Sequence, residues 1–365
     1  MACKVNDMKT DNVQHLTRCV PSAKGGSALI LVLWVIGMLA MFISNMAFDA
    51  HIEARITSYY RKRHKAANLA HSGIELAKLI MEKSTEIDPN SEEEPPEDDR
   101  WYSDAKRLAQ GNTLTMTYPL GEGEIHLAIV TEQARRNVNL LTKEEEWEPI
   151  LAVGDIPEDL WPGLIEAFLD WIDKDDVERS DGAETEDYYA TLENPYGARN
   201  GALYSVDELV LIKGFTQEII YGGLLEGESG EEGEAVIASG IADLLTTFGD
   251  KQINVNAASE RVLMTLPDPE GIADLVAKAI LEQLEGFESD DGTHEPEFFE
   301  NDADLFQRVP ELSQGGRKAY LTTKSSQYYR ITSTGKMKGV ERKVSCIVVR
   351  SKGDLRILKW EESED

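Results

Sequence analysis

Four carboxylates near the middle of the chain fall at the spacing of a calcium loop. With Asp173 counted as first, Asp175 is third, Asp181 ninth and Glu184 twelfth, all ligand positions of an EF-hand loop. A hard cation of this kind takes roughly six to eight oxygens, so the carboxylates must converge from a flexible turn. The match is partial, because Val177 stands at position five and Glu178 at position six, where an EF-hand needs glycine. The segment is therefore no EF-hand. With Asp176 added, the set Asp173, Asp175, Asp176, Asp181 and Glu184 reads as a calcium-type loop at the end of a helix, calcium being the cofactor expected. The plainer alternative is a solvated acidic turn. Catalysis is not indicated: no histidine or nucleophile accompanies these acids. The histidines, including His64, His71, His126 and His294, lack metal spacing, and neither a phosphate loop nor a nucleophile elbow occurs. The chain reads as a non-enzyme.

An internal repeat surrounds this loop. Arg136-Asn137-Val138-Asn139-Leu140 is echoed by Gln252-Ile253-Asn254-Val255-Asn256-Ala257. Each copy runs on into helical stretches split by a break, and closes on an acidic-plus-apolar run. The closers are Ser205-Val206-Asp207-Glu208-Leu209 and Asn301-Asp302-Ala303-Asp304-Leu305. The asparagines suit turns or helix caps, where their side chains satisfy backbone donors that the coming helix cannot. Two related helical modules are expected, helix-hairpin-helix-like or SAM-like, with Leu266-Pro267 before Gly271-Ile272 as the clearest hairpin trace. Such hairpins often hold DNA phosphates. Here the hairpin carries Asp268 and Glu270 in a chain of net charge −30, so phosphate is repelled and no nucleic-acid partner is expected.

The modules interrupt a sheet. Thr113–Tyr118 and Glu124–Thr131 are strand-like before them, and Tyr328–Thr334 and Val340–Arg350 after them. Strands, then helices, then strands is an α+β arrangement. Cys346 lies in the last strand-like run, where a buried, small apolar role fits best.

Ahead of all this stand 22 uncharged residues, Ser27 to Phe48. As a helix they measure roughly 33 Å at about 1.5 Å per residue, enough to cross a hydrocarbon core of about 30 Å. Ile52, Ile56, Tyr59, Ala67, Ala70, Ile74, Ala77 and Met81 then recur largely at helical steps, predicting one rod to about Lys83. The leader is basic, yet Arg61-Lys62-Arg63-His64-Lys65 beyond the span leaves orientation open by charge alone. A plain N-terminal anchor is the blander reading. Gly25-Gly26 before Ser27 instead resembles a prepilin-type signal, cleaved after Gly26 on the cytoplasmic side with the apolar helix retained. Most prepilins carry Glu at the fifth mature position; counting from Ser27, Leu31 stands there.

Taken together, Gly26 before such a helix, Asn137-Val138-Asn139-Leu140, Asp170-Trp171-Ile172-Asp173-Lys174-Asp175, Gly182-Ala183-Glu184, Asn194-Pro195-Tyr196, Val206-Asp207-Glu208-Leu209 and Ile253-Asn254-Val255-Asn256 resemble the minor pseudopilin K family of type II secretion systems. The resemblance spans most of the chain. It implies a pilin-like fold of long N-terminal helix and antiparallel sheet, with the two-module helical domain inserted in the sheet and calcium bound in that domain. It further implies a tip complex with minor pseudopilins I and J, contact with other pseudopilins, processing by prepilin peptidase at Gly26 and Ser27 with N-methylation, a single inner-membrane pass and a periplasmic body. The function implied is to cap or initiate the pseudopilus in export of folded proteins. In the family, the fifth-position glutamate pairs with the terminal amine of the previously assembled subunit, so Leu31 suits a subunit with no neighbour above it. A minor pilin of a type IV pilus-like machine and a membrane-anchored DNA-handling protein are the alternatives.

The expected segments are a leader at 1–26, the N-terminal helix at 27–83, an acidic loop and first strands at 84–135, module one with its acidic loop at 136–225, a linker at 226–250, module two at 251–315, last strands at 316–352 and an acidic tail at 353–365.

Overall fold

The computed structural model describes residues 25–88, 99–225, 236–267, 273–285, 287–288, 294–295, 297–313, 317–324, 327–351 and 354–362. The leader at 1–24 and the hairpin trace at 268–272 lie outside them, as do the acidic stretches around Glu92, Glu231 and Asp290. Helix α1, Gly25–Ser84, is continuous. By contacts the chain divides into two compact units, one ending at Arg61 and the other beginning at Lys62. In the first, large apolar side chains from Leu29 to Phe48 are all exposed, Leu31 at 65%. This stretch is long and apolar enough to cross a membrane.

In the second unit α1 becomes one-sided. Ala66, Leu69, Ala70, Ile74, Ala77, Ile80 and Met81 are buried at steps of mostly three or four, so one face of a 3.6-residue period meets a sheet. The short α2, Tyr102–Ala109, adds Ala105 and Leu108 to this core. The sheet is antiparallel throughout, in the order β1 (Leu114–Leu120), β2 (Gly123–Thr131), β3 (Tyr328–Met337), β4 (Val340–Ser351) and β5 (Asp354–Glu362). In β2, Ile125, Leu127 and Ile129 alternate inward with period two. Two glycines set how closely α1 and the sheet approach. A Cβ at Gly335 would overlap the Ala66 carbonyl, and one at Gly73 would overlap Ser333 Oγ. Cys346 is buried in this core, and burial pushes its thiol up to about 11.

Strands β2 and β3 are neighbours, with Ile129 opposite Ile331, although nearly 200 residues separate them in sequence. Everything between is the inserted domain. It holds α3 (Glu144–Val153), α4 (Trp161–Ile172), α5 (Gln217–Tyr221), α6 (Glu260–Leu263), α7 (Ala273–Glu285) and α8 (Asp302–Arg308), packed on one continuous apolar core.

The repeat is visible in the backbone. Arg136–Asn137 pairs in parallel with Leu245–Thr246, and Ile253–Asn254 pairs in parallel with Leu321–Thr322. Each module is thus tied start to finish by a two-residue ladder. Val236–Thr246, in the stretch read from sequence as linker, includes the closing strand of module one. Asn137 Oδ1 accepts from Asn139 N at 3.1 Å, and Asn254 Oδ1 accepts from Asn256 N at 3.0 Å. The second asparagine of each pair then grips one distant residue by both backbone groups. Asn139 does so with Leu203 (3.0 and 2.7 Å), and Asn256 with Phe299 (2.9 and 3.0 Å). A closing turn follows each grip, capped by Ser205 with Glu208 in one module and by Asn301 with Asp304 in the other.

Within the stretch expected as an acidic tail, Asp354–Glu362 forms β5 along β4. Terminal acids mask the strand in sequence. Leu355 packs against the core, and Trp360 stacks on His71 of α1 at 5.5 Å.

Candidate functional site

The acidic loop hangs from the C-terminal end of α4. That helix buries Leu164, Ile165, Phe168 and Trp171, and its period carries Asp170 to the same inner side, fully buried. A buried carboxylate demands partners. Asp170 Oδ2 accepts from the backbone N–H groups of Arg179 (3.1 Å) and Ala183 (2.9 Å), while its Oδ1 accepts from the Arg179 guanidinium. The loop therefore curls around Asp170. Gly182 is required at this bend, since a Cβ there would overlap Asp170 Oδ2. Lys213 fastens the far side, its backbone N–H donating to Tyr189 Oη and its Nζ to the Gly182 carbonyl at 2.7 Å. Trp171, Tyr189 and Tyr196 pack edge to face or tilted behind the loop, and Tyr196 donates to the Leu211 carbonyl at 2.8 Å.

The expected ligands separate into two groups. Asp173 is half-buried, with Oδ2 accepting from Arg179 at 2.8 Å and Oδ1 buried without a partner. Glu184 is 1% exposed and neither of its oxygens has a hydrogen-bond partner. Burial, together with the nearby charges of Asp170, Asp173 and Asp176, pushes its carboxyl up to about 7. Asp176 Oδ1 accepts from Asn200 Nδ2 at 2.9 Å, and Asn200 Oδ1 is itself buried and unpartnered. Asp173 and Glu184 are thus the inward pair, whereas Asp176 is exposed. Asp175 is exposed and caps the Val177 N–H, and Asp181 is exposed, using its own N–H to donate to Glu166. Among the described residues no three Asp, Glu, His or Cys side chains are arranged to share a metal ion. Arg179 lies between Asp170 and Asp173 instead.

Spacing alone does not single out Arg179, Asn200 or Lys213, and Asp170 enters the sequence reading only as part of a motif. Asn200 has φ 49°, a left-handed conformation that asparagine tolerates, and Asn200-Gly201 is a turn signal that could have marked it. The donors are all hard oxygens, and several are buried with nothing to bind. By donor type these oxygens suit a calcium ion, although the side chains are not gathered about one point.

At the N-terminal end, Gly26 and Ser27 lie within the first turn of α1 and Leu31 on its exposed apolar stretch.

A long helix under an antiparallel sheet, with a second domain between β2 and β3, defines a pilin-like subunit carrying an insertion. The insertion identifies the relatives. Residues 131–222 match the family model of type II secretion system (T2SS) protein K, starting at the last residue of β2 and reaching past the acidic loop. A type II secretion system protein K of Pseudomonas aeruginosa is 26% identical over 324 residues, 82% of this chain and 88% of its own. Protein K of Aeromonas hydrophila is 24% identical over 218 residues, 55% of this chain and 62% of its own. A chain in the crystal structure of the GspK-GspI-GspJ complex from the enterotoxigenic Escherichia coli type 2 secretion system superposes with a TM-score of 0.53 at 18% identity. That match covers 86% of this chain and all of the other, and the likeness is one of fold. Residues 131–222 thus match the protein K family model, and the chain is similar to protein K along most of its length.

Proposed function

We infer that this chain is a minor pseudopilin of a type II secretion system, placed at the pseudopilus tip with partners of the I and J type. One observation carries the reading: the protein K match begins where the pilin-like sheet is interrupted, so fold and family agree at the same residue. The function is then assembly rather than catalysis. The apolar start of α1 anchors the subunit in the inner membrane, prepilin peptidase cuts between Gly26 and Ser27, and Ser27 becomes the methylated N-terminus. The body lies in the periplasm. Its acidity supports protein partners over nucleic acid. The finer description of the modules as helix-hairpin-helix or SAM-like rests on the repeated asparagine grip and its closing turn.

Calcium belongs to the same reading. Asp173 and Glu184, with Asn200 close by, would supply the oxygens, and Asp175, Asp176 and Asp181 join only if the exposed rim of the loop folds inward. The cation would supply positive charge to buried acids and so fix the loop.

The test is a deletion strain complemented with the wild-type chain or with Gly26→Asp. Wild type restores export of type II substrates and yields a mature protein beginning at Ser27. The variant retains the leader and does not restore export. Export unaffected by the deletion sinks the secretion role, and an intact Met1 on the wild-type protein sinks the processing.

A further inference from the structure

Arg179 occupies the position that a cation would be expected to take. Its guanidinium joins Asp170, which is fully buried, to Asp173, while its own side chain is 39% exposed. Asp170 does not depend on it entirely, because two backbone N–H groups hold its Oδ2. Asp173 has no such second tether, and its Oδ1 is buried without a partner beside the unpartnered Glu184. So one monovalent cation serves two acids and a third is left without a counter-charge. We propose that Arg179 is a built-in competitor for the metal. In the metal-free loop it neutralises Asp170 and Asp173. A divalent cation enters by displacing the guanidinium from Asp173, drawing Asp173 and Glu184 onto itself.

The physical balance favours exchange over coexistence. Like charges repel at this distance, so a divalent ion beside the guanidinium would lose much of what the carboxylates give it. The displaced side chain needs little reorganisation, since it is already partly in water and keeps its charge there. The cation brings two charges and recruits oxygens that now bind nothing. This inference rests on the calcium reading above, and it differs from a purely supportive role for Arg179 in the sign of one effect. A residue that merely orients ligands weakens binding when removed. A competitor tightens it.

The experiment uses the full-length chain in detergent, stripped with chelator, and titrated with CaCl2 by calorimetry. Wild type is compared with Arg179→Met and Arg179→Lys. The expected result is a lower metal-free melting temperature for Arg179→Met with Kd for Ca²⁺ tightened about tenfold, the scale of one charge-assisted contact. Arg179→Lys keeps a cation but loses the fork that spans both acids, so it falls between; it is also the variant to read if Arg179→Met does not fold. Wild type binding calcium with neither variant tighter overturns the competitor role and leaves the calcium reading standing. No binding by any of the three overturns both. Binding by the variants alone supports the competitor role in its strongest form.

Discussion

Glu184 is where burial and charge conflict most sharply, and the conflict has a direction in pH. Its carboxyl is held near 7 rather than near the ordinary 4.5, by desolvation first and by Asp170 and Asp173 second. A raised value means that the folded state holds its proton more tightly than the unfolded chain. Its stabilising contribution is therefore complete below about pH 4.5 and lost as pH rises to about 7. Without calcium, thermal melts of the wild-type chain should decline over that window, and Glu184→Gln should flatten that part of the profile. Saturating calcium should remove the decline, because the cation favours the ionised form. An unchanged profile in the glutamine variant would remove Glu184 as its source. The sequence shows the acids of this loop by count and spacing. It does not show that Asp175 and Asp181 stay in solvent, nor that Asp170 is the residue the loop wraps, because spacing along a chain says nothing about which side of a bend each residue faces.

At the scale of elements, the two modules share a grip that can be tested in parallel. Removing the Asn139 side chain leaves the Leu203 N–H and carbonyl without partners, and removing Asn256 does the same at Phe299. Leaving such partly or fully buried groups unmet costs about 1–3 kcal/mol each time. Asn139→Ala and Asn256→Ala should therefore each lower the midpoint of urea unfolding. Asn256 should cost more, since it is 5% exposed and both of its bonds are buried. Equal wild-type midpoints would mean that the grip is incidental. The sheet offers a second prediction. Gly335→Val forces β3 away from the Ala66 and Ala70 backbone of α1, an overpacking of about 1–3 kcal/mol or more. Circular dichroism melts of the full chain should show the loss, whereas valine at Gly339, where a Cβ meets nothing, should act only through its left-handed φ of 82°. These elements differ in how plainly the sequence announces them. The second half of the long helix and four strands follow from apolar period, because their faces are well contrasted, and the helix's first half follows from an unbroken apolar run. Strand β5 and helix α2 do not, since one is an edge strand with most side chains exposed and the other is short and follows directly on an acidic stretch.

For the whole molecule the question is how an insertion of this size is carried on a small sheet. Glu132, directly after β2, is fully buried and accepts from Arg330 Nε at 2.7 Å and from Thr246 Oγ1. The residue at which the chain leaves the sheet is thereby joined to β3, where it returns, and to the strand that closes module one. Within the domain, Arg136 is almost wholly buried, donates to the Thr265 carbonyl at 2.6 Å, and has its guanidinium pushed down to about 10 by burial. Such joints carry the domain as part of the subunit rather than as a loose appendage, and a bulky fixed domain is tolerated where no further subunit must stack. Leu31 bears on the same point from the other end of the chain. A carboxylate buried in lipid without a partner is costly, so a subunit with no neighbour above it is better served by leucine. If the chain caps the fibre, Leu31→Glu adds an acid with nothing to pair with. The variant should be processed normally at Gly26, yet extract more readily from the membrane and support less secretion than wild type. A variant that assembles and secretes as well as wild type would show that position five carries no information about the tip.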